Sequence, residues 1–152
     1  MRLSTRARYA LRMLLEIAKQ APDTTVSLGT VSRNTDISRR YLDQLAIALK
    51  SAGLVVATSG RGGGYRLARP AEEINLGEIV EASIGPINIV ECVGNPETCE
   101  RHDGCMPREV YRLINSRITG VFRQLSLAEL TDPDTLSALV ENEKKTNTRV
   151  RA

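Results

Sequence analysis

The chain has no tryptophan and a single phenylalanine, and its aromatic content is only 3%. A core built from it must be packed by Leu, Ile, Val and Ala. There is one histidine, so no acid–base constellation with a second imidazole can be assembled. No apolar run approaches the ~18 residues of a membrane span. Met1-Arg2-Leu3-Ser4-Thr5-Arg6 is not followed by the apolar stretch of a signal peptide. A cytoplasmic protein without a membrane partner is the expectation. Cysteine occurs three times, and an odd number argues against a closed set of structural disulfides. Cys-x-x-Cys and a nucleotide-binding Gly motif are both missing, which removes the usual signatures of a redox enzyme. The chain is therefore expected not to be an enzyme.

What is present is ordinary in amount and uneven in placement. The 152 residues are 41% hydrophobic and 26% charged, which suits one small globular domain with an extension. Residues 1–70 carry 12 Lys/Arg against 4 Asp/Glu, whereas residues 71–152 carry 9 against 14. The net charge of +3 thus conceals a basic half beside an acidic one, a pattern suited to a polyanionic partner.

Ser4 can cap a helix reaching about Lys19, with Ala7, Ala10, Leu11, Leu14, Ile17 and Ala18 on the 3.6-residue period. Ser27 can cap a short helix to about Asn34. After Thr35-Asp36-Ile37, Ser38 can cap a third helix with Leu42, Leu45, Ala46 and Leu49 as its buried face. Gly53 suits a helix C-terminus. Leu54–Thr58 reads as a strand, Gly60-Arg61-Gly62-Gly63-Gly64 as a tight loop and Tyr65-Arg66-Leu67 as the return strand. Asn75 can cap a helix from Leu76 to Ala82 or Ser83. Residues 91–106 lack periodicity and read as a loop. A long helix starts near Pro107 and carries Val110, Leu113, Ile114, Ile118, Val121, Phe122 and Leu125 along one side. That stripe needs a partner: the first helix, another chain, or both. Residues beyond Glu141 read as a tail.

Two short helices joined by a tight turn and followed by a hairpin give the order of a winged helix–turn–helix. The fold expected is mainly α with a small β-hairpin wing and a long dimerisation helix. The second helix of the pair would enter the major groove of double-stranded operator DNA with Ser38, Arg39, Arg40, Tyr41, Asp43 and Gln44. Arginine can neutralise phosphate or grip guanine, glutamine suits adenine, and a carboxylate is tolerable where it accepts from cytosine. A local ion pair with Arg39 or Arg40 is the other reading of Asp43. Arg61, with Gly62 and Gly63 beside it on a thin loop, could enter a narrow minor groove or simply be solvated.

Cys92, Cys99 and Cys105 fall within 14 residues. Thiolates suit iron–sulfur clusters, zinc or copper(I). A zinc site and a metal-free thiol switch both remain open.

Three stretches carry a family resemblance: Met1–Ala10, Ile37–Leu45 and Gly60–Ala68, supported by Leu125–Leu130. Over residues 1–135 the chain resembles the IscR/NsrR group of winged-helix regulators, the Rrf-two family. The resemblance implies a homodimer crossing through the long helix on a pseudo-palindromic operator. It also implies sensing of iron, cluster supply, redox state or nitric oxide through a cluster on the three cysteines. The two-iron two-sulfur form is the favoured expectation, the four-iron four-sulfur form the other. IscR-like members supply a histidine three residues after the last cysteine, where this chain has Arg108. NsrR-like members supply a carboxylate from the partner subunit's first helix, where this chain has Arg8. His102 is the nearest substitute, with Glu100, Asp103, Glu109 or an exogenous ligand as rivals.

The organisation expected is a winged domain at 1–70, a connecting helix at 71–90, a cysteine loop at 91–106, a dimerisation helix and C-terminal segment at 107–140, and a flexible tail at 141–152. The expected activity is transcriptional regulation, by repression or in a dual mode. A cluster carrier, and an interaction module that does not bind DNA, are the rival classes. Salt-dependent binding to DNA separates them from the first.

Overall fold

Five helices start from a side chain that accepts the backbone N–H three residues on. Ser4, Ser27, Ser38, Asn75 and Ser126 do so in a computed structural model that describes residues 3–150, and side chains as far as Glu141. Each cap satisfies a donor that the first helical turn leaves open. They set the starts of α1 (Thr5–Ala18), α2 (Leu28–Thr35), α3 (Arg39–Ser51), α4 (Leu76–Ile84) and α7 (Leu127–Thr131). Asp36, in left-handed backbone at φ 56°, makes the turn between α2 and α3. Gly53, at φ 69°, follows the end of α3.

The hairpin pairs β1 (Val55–Thr58) with β2 (Gly64–Leu67) antiparallel, Val55 opposite Leu67 and Thr58 opposite Gly64. Val26 adds a third, one-residue rung through two 2.8 Å backbone hydrogen bonds with Tyr65. The core is aliphatic, as the composition requires. Met13, Leu14, Val31, Leu42, Leu45, Leu49, Leu54 and Val55 are fully enclosed in it, joined by Ile74, Ile79 and Leu127 from later in the chain.

The cysteine segment is not a featureless loop. It contains α5 (Glu91–Gly94) and a 3-10 turn at Pro96–Thr98, both too short to leave a periodic signature. The chain then runs out along α6 (Met106–Gln124), with Pro107 in its first turn. It returns at Ser126, which bridges antiparallel to Asn75. Leu76 N–H donates to Leu125 O at 2.8 Å, and Leu127 N–H to Ile74 O at 2.7 Å. The end of α6 is thereby sewn to the start of α4, and fully buried Leu127 anchors it in the core. α8 spans Pro133–Val150, so the segment read as a tail is helical to Val150. Residues 151 and 152 lie outside the described residues.

Candidate nucleic-acid interface and cysteine segment

The apolar face of α3 fixes what its other face presents. With Leu42, Leu45, Ala46 and Leu49 buried, Arg39, Arg40, Asp43, Gln44, Ile47 and Lys50 point to solvent. None of the ion pairs among the described residues involves Arg39, Arg40, Asp43, Lys50 or Arg61. The local ion pair considered for Asp43 is not formed. The cations of this surface are uncompensated, whereas Arg66 and Arg69 at the base of the wing are paired with Asp23 and Glu78. Ser38 caps the helix through Tyr41 N–H at 3.4 Å. Tyr41 itself is half-buried, its ring edge-on to Tyr9 with centroids 5.6 Å apart. Of the residues singled out on this helix, Arg39, Arg40, Asp43 and Gln44 lie on the open face, while Ser38 and Tyr41 also hold the helix in place.

The wing tip is shaped by glycine for two different reasons. Gly62 adopts φ 79°, a conformation that costs other residues energy. Gly63 has no room: a Cβ there would stand 2.3 Å from the Thr58 carbonyl oxygen. Thr25 Oγ1 donates to Gly62 O at 2.8 Å and ties the tip to the segment ahead of α2. Arg61, between these constraints, is exposed.

Glu16, buried on α1, was not anticipated; its carboxylate accepts from Asn34 of α2 and pairs with Lys19 at 3.0 Å. The hydrogen bond from Asn34, joined by Lys19 and opposed by burial, holds its pKa below the ordinary glutamate range. This polar lock joins α2 to α1.

Cys92 lies on α5, Cys99 follows the 3-10 turn and Cys105 precedes α6; all three are half-buried free thiols. His102 Nδ1 lies 2.9 Å from Cys99 O. A carbonyl only accepts, so that nitrogen carries the proton and Nε2 is the atom left for a metal. Nε2 is 3.4 Å from Asp103 Oδ1. In donor chemistry these residues fit an iron–sulfur cluster or zinc. Among the described residues, however, no three His, Cys, Asp or Glu side chains stand together as a metal site, so ligation requires the three cysteines to approach one another.

The stretch 87–92, ahead of the other two cysteines, is held from α6. Arg108 Nε donates to Cys92 O at 2.9 Å. One and a half to two turns further, Asn115 accepts from Ile89 N–H at 2.9 Å and donates to Ile87 O at 3.0 Å. Asn115 is a buried polar residue on α6 that the sequence reading passed over; a lone amide beside Ile114 was the available signal. On the opposite side α6 leaves Met106, Val110, Leu113, Ile114 and Val121 exposed. No helix among the described residues is long and apolar enough to cross a membrane.

Residues 3–133 match the family described as Rrf2, iron-dependent transcriptional regulator. The chain is 35% identical to the HTH-type transcriptional regulator IscR of Serratia proteamaculans, over 87% of this chain and 80% of that protein. Among solved structures it resembles CymR, the global cysteine regulator of B. subtilis, with 30% identity and a TM-score of 0.74 over 86% of this chain and 96% of that one. T. potens IscR follows at 25% identity and a TM-score of 0.69, covering 86% and 85%.

Proposed function

The chain belongs to the Rrf2 family of transcriptional regulators, DNA-binding helix–turn–helix proteins rather than enzymes, and we propose that it works as a homodimer on operator DNA and adjusts its output through the cysteine segment. The observation that carries the DNA reading is the uncompensated surface of Arg39, Arg40, Lys50 and Arg61 flanking the hydrogen-bonding groups of Asp43 and Gln44. Cations of this kind release counterions from phosphate, and the polar groups read base edges. Residues 1–70 are the reading unit, 71–90 the connection, 91–106 the sensor, and 107–140 the dimer arm through the open stripe of α6. Repression is the default output, because a dimer seated on an operator excludes other proteins.

Sensing is assigned to Cys92, Cys99 and Cys105, with His102 as fourth ligand through Nε2. A cluster bound there would supply an iron centre responsive to iron supply, oxidants and nitric oxide; the two-iron form is preferred. The chain's own part is transmission. Arg108 and Asn115 attach the segment 87–92 to α6, and the end of α6 is sewn to the connection at Ile74–Leu127, two residues buried in the core that the reading unit builds. Reordering the segment therefore moves α6 relative to the recognition helices, whose separation must match the half-sites. A second reading, a metal-free thiol switch, draws on Cys92, Cys99 and Cys105 being free, half-buried thiols.

The test is an anaerobic preparation followed by Mössbauer spectroscopy and titration of one operator with cluster-loaded protein, metal-free protein and Cys99→Ala. A cluster signal with unequal affinities is expected. Equal affinities for all three overturn the sensing reading and leave the DNA reading intact.

A further inference from the structure

The open face of α3 carries one large apolar residue. Ile47 is 69% exposed, in a helix whose leucines are all buried. At about 100° per residue, Arg40, Asp43 and Gln44 fall within roughly 60° of Ile47 around the axis. Ile47 thus continues their face one turn further along. From Arg40 to Ile47 the helix rises about 10 Å, comparable to the ~12 Å width of the major groove. Nothing in the fold calls for isoleucine here. At 69% exposure it adds little to the core, and a β-branched side chain is a weaker helix former than Ala, Lys or Glu.

A groove surface that is polar and charged offers one apolar feature, the C5 methyl of thymine. Arg39, Arg40 and Lys50, all exposed, would bring this face against phosphates and so desolvate Ile47. We propose that Ile47 is a base-reading residue: it covers the methyl of a thymine in each half-site, at a step beyond those met by Asp43 and Gln44. The proposal rests on α3 being the groove-entering helix. Cytosine at that step would lack the methyl and would set its amine against an aliphatic side chain, so it would be disfavoured.

The probe is a duplex selected from a random pool by the full chain. Each thymine of the selected sequence is replaced in turn by deoxyuridine, which removes only the methyl. One replacement per half-site is expected to weaken binding by about four-fold, the worth of one buried methyl-sized group. Ile47→Ala is expected to bind the two duplexes equally, and Ile47→Val to keep part of the difference. The side chain is exposed, so these variants should melt like the parent. Identical responses of the parent and Ile47→Ala at every thymine overturn the proposal. Arg40→Ala and Gln44→Ala, run alongside, separate the two failures. If they lose affinity while the methyl responses stay the same, α3 enters the groove and Ile47 does not read it. If neither they nor Ile47→Ala changes binding, the assignment of α3 falls and this proposal falls with it.

Discussion

Arg108 donates from Nε to the carbonyl oxygen of Cys92 at 2.9 Å, so the residue three positions after the last cysteine grips the backbone of the first cysteine from the first turn of α6. Arg108→Ala should free this end of the segment. Alkylation of Cys92 by iodoacetamide should become faster in the metal-free protein, and hydrogen exchange across 91–95 should rise, by the equivalent of about 1 kcal/mol for a lost hydrogen bond. Unchanged exchange would remove Arg108 from control of the segment.

Asn115 meets both a donor and an acceptor of the segment 87–89 while itself 9% exposed. Asn115→Ala should cost about 2 kcal/mol in denaturant unfolding, because two backbone groups lose their partner. Asn115→Asp keeps the acceptor for Ile89 N–H and sets a carboxylate against Ile87 O, so it should be at least as harmful. A loss below about 0.5 kcal/mol would mean that water replaces the amide.

The Glu16 carboxylate is held below its ordinary pKa, chiefly by Asn34. A depressed carboxylate contributes stability that is present above the unfolded value and is lost as pH falls through the folded value. Unfolding midpoints should therefore drop as the pH falls below about 5. Part of that drop should vanish in Glu16→Gln. Glu78, Glu129 and Asp132 are lowered as well, so the difference between the two curves, not the whole acid limb, is the measure of Glu16.

Arg61→Ala should weaken operator binding and reduce the slope of log affinity against log salt by about one unit. Gly63→Ala should have a larger effect, since its Cβ would strike the Thr58 carbonyl and reshape the tip. Equal salt slopes in fluorescence anisotropy titrations would place Arg61 outside the interface. Gln44→Ala should instead relax base preference, by about 1–3 kcal/mol.

Val110 and Leu113 stand 54% and 56% exposed on α6. Sedimentation velocity at micromolar concentration should give a dimer for the parent and a monomer for Leu113→Glu, because a carboxylate cannot be buried unpaired in an apolar seam. A monomeric parent would move the dimer contact elsewhere.

The elements legible in the sequence were those that announce themselves locally. Ser4, Ser27, Ser38 and Asn75 each named a helix start, and Gly60–Gly64 named the wing. The four exposed groups of α3, Arg39, Arg40, Asp43 and Gln44, followed from the position of its apolar face. The rest depends on contacts between distant residues, which leave no period. The Val26–Tyr65 rung, the Ile74–Leu127 bond and the burial of Glu16 against Asn34 are of this kind. Ile47 was legible in principle, since it falls opposite Leu42, Leu45 and Leu49. It was passed over because an apolar residue in a helix is ordinarily assigned to the core.

The bridge between Asn75 and Ser126, with its flanking bonds from Leu76 to Leu125 and from Leu127 to Ile74, also bears on how such a chain can change over generations. It fixes the foot of α6 without help from residues 85–105. Their number then enters the stability mainly through loop closure, at about 0.6 kcal/mol for each doubling of length. Insertions, deletions and exchanged ligands in that stretch, away from the anchors at Ile87, Ile89 and Cys92, should then leave the helix–turn–helix unaltered, so that a lineage of such regulators could change what its cysteine segment answers to without rebuilding α3 and the wing.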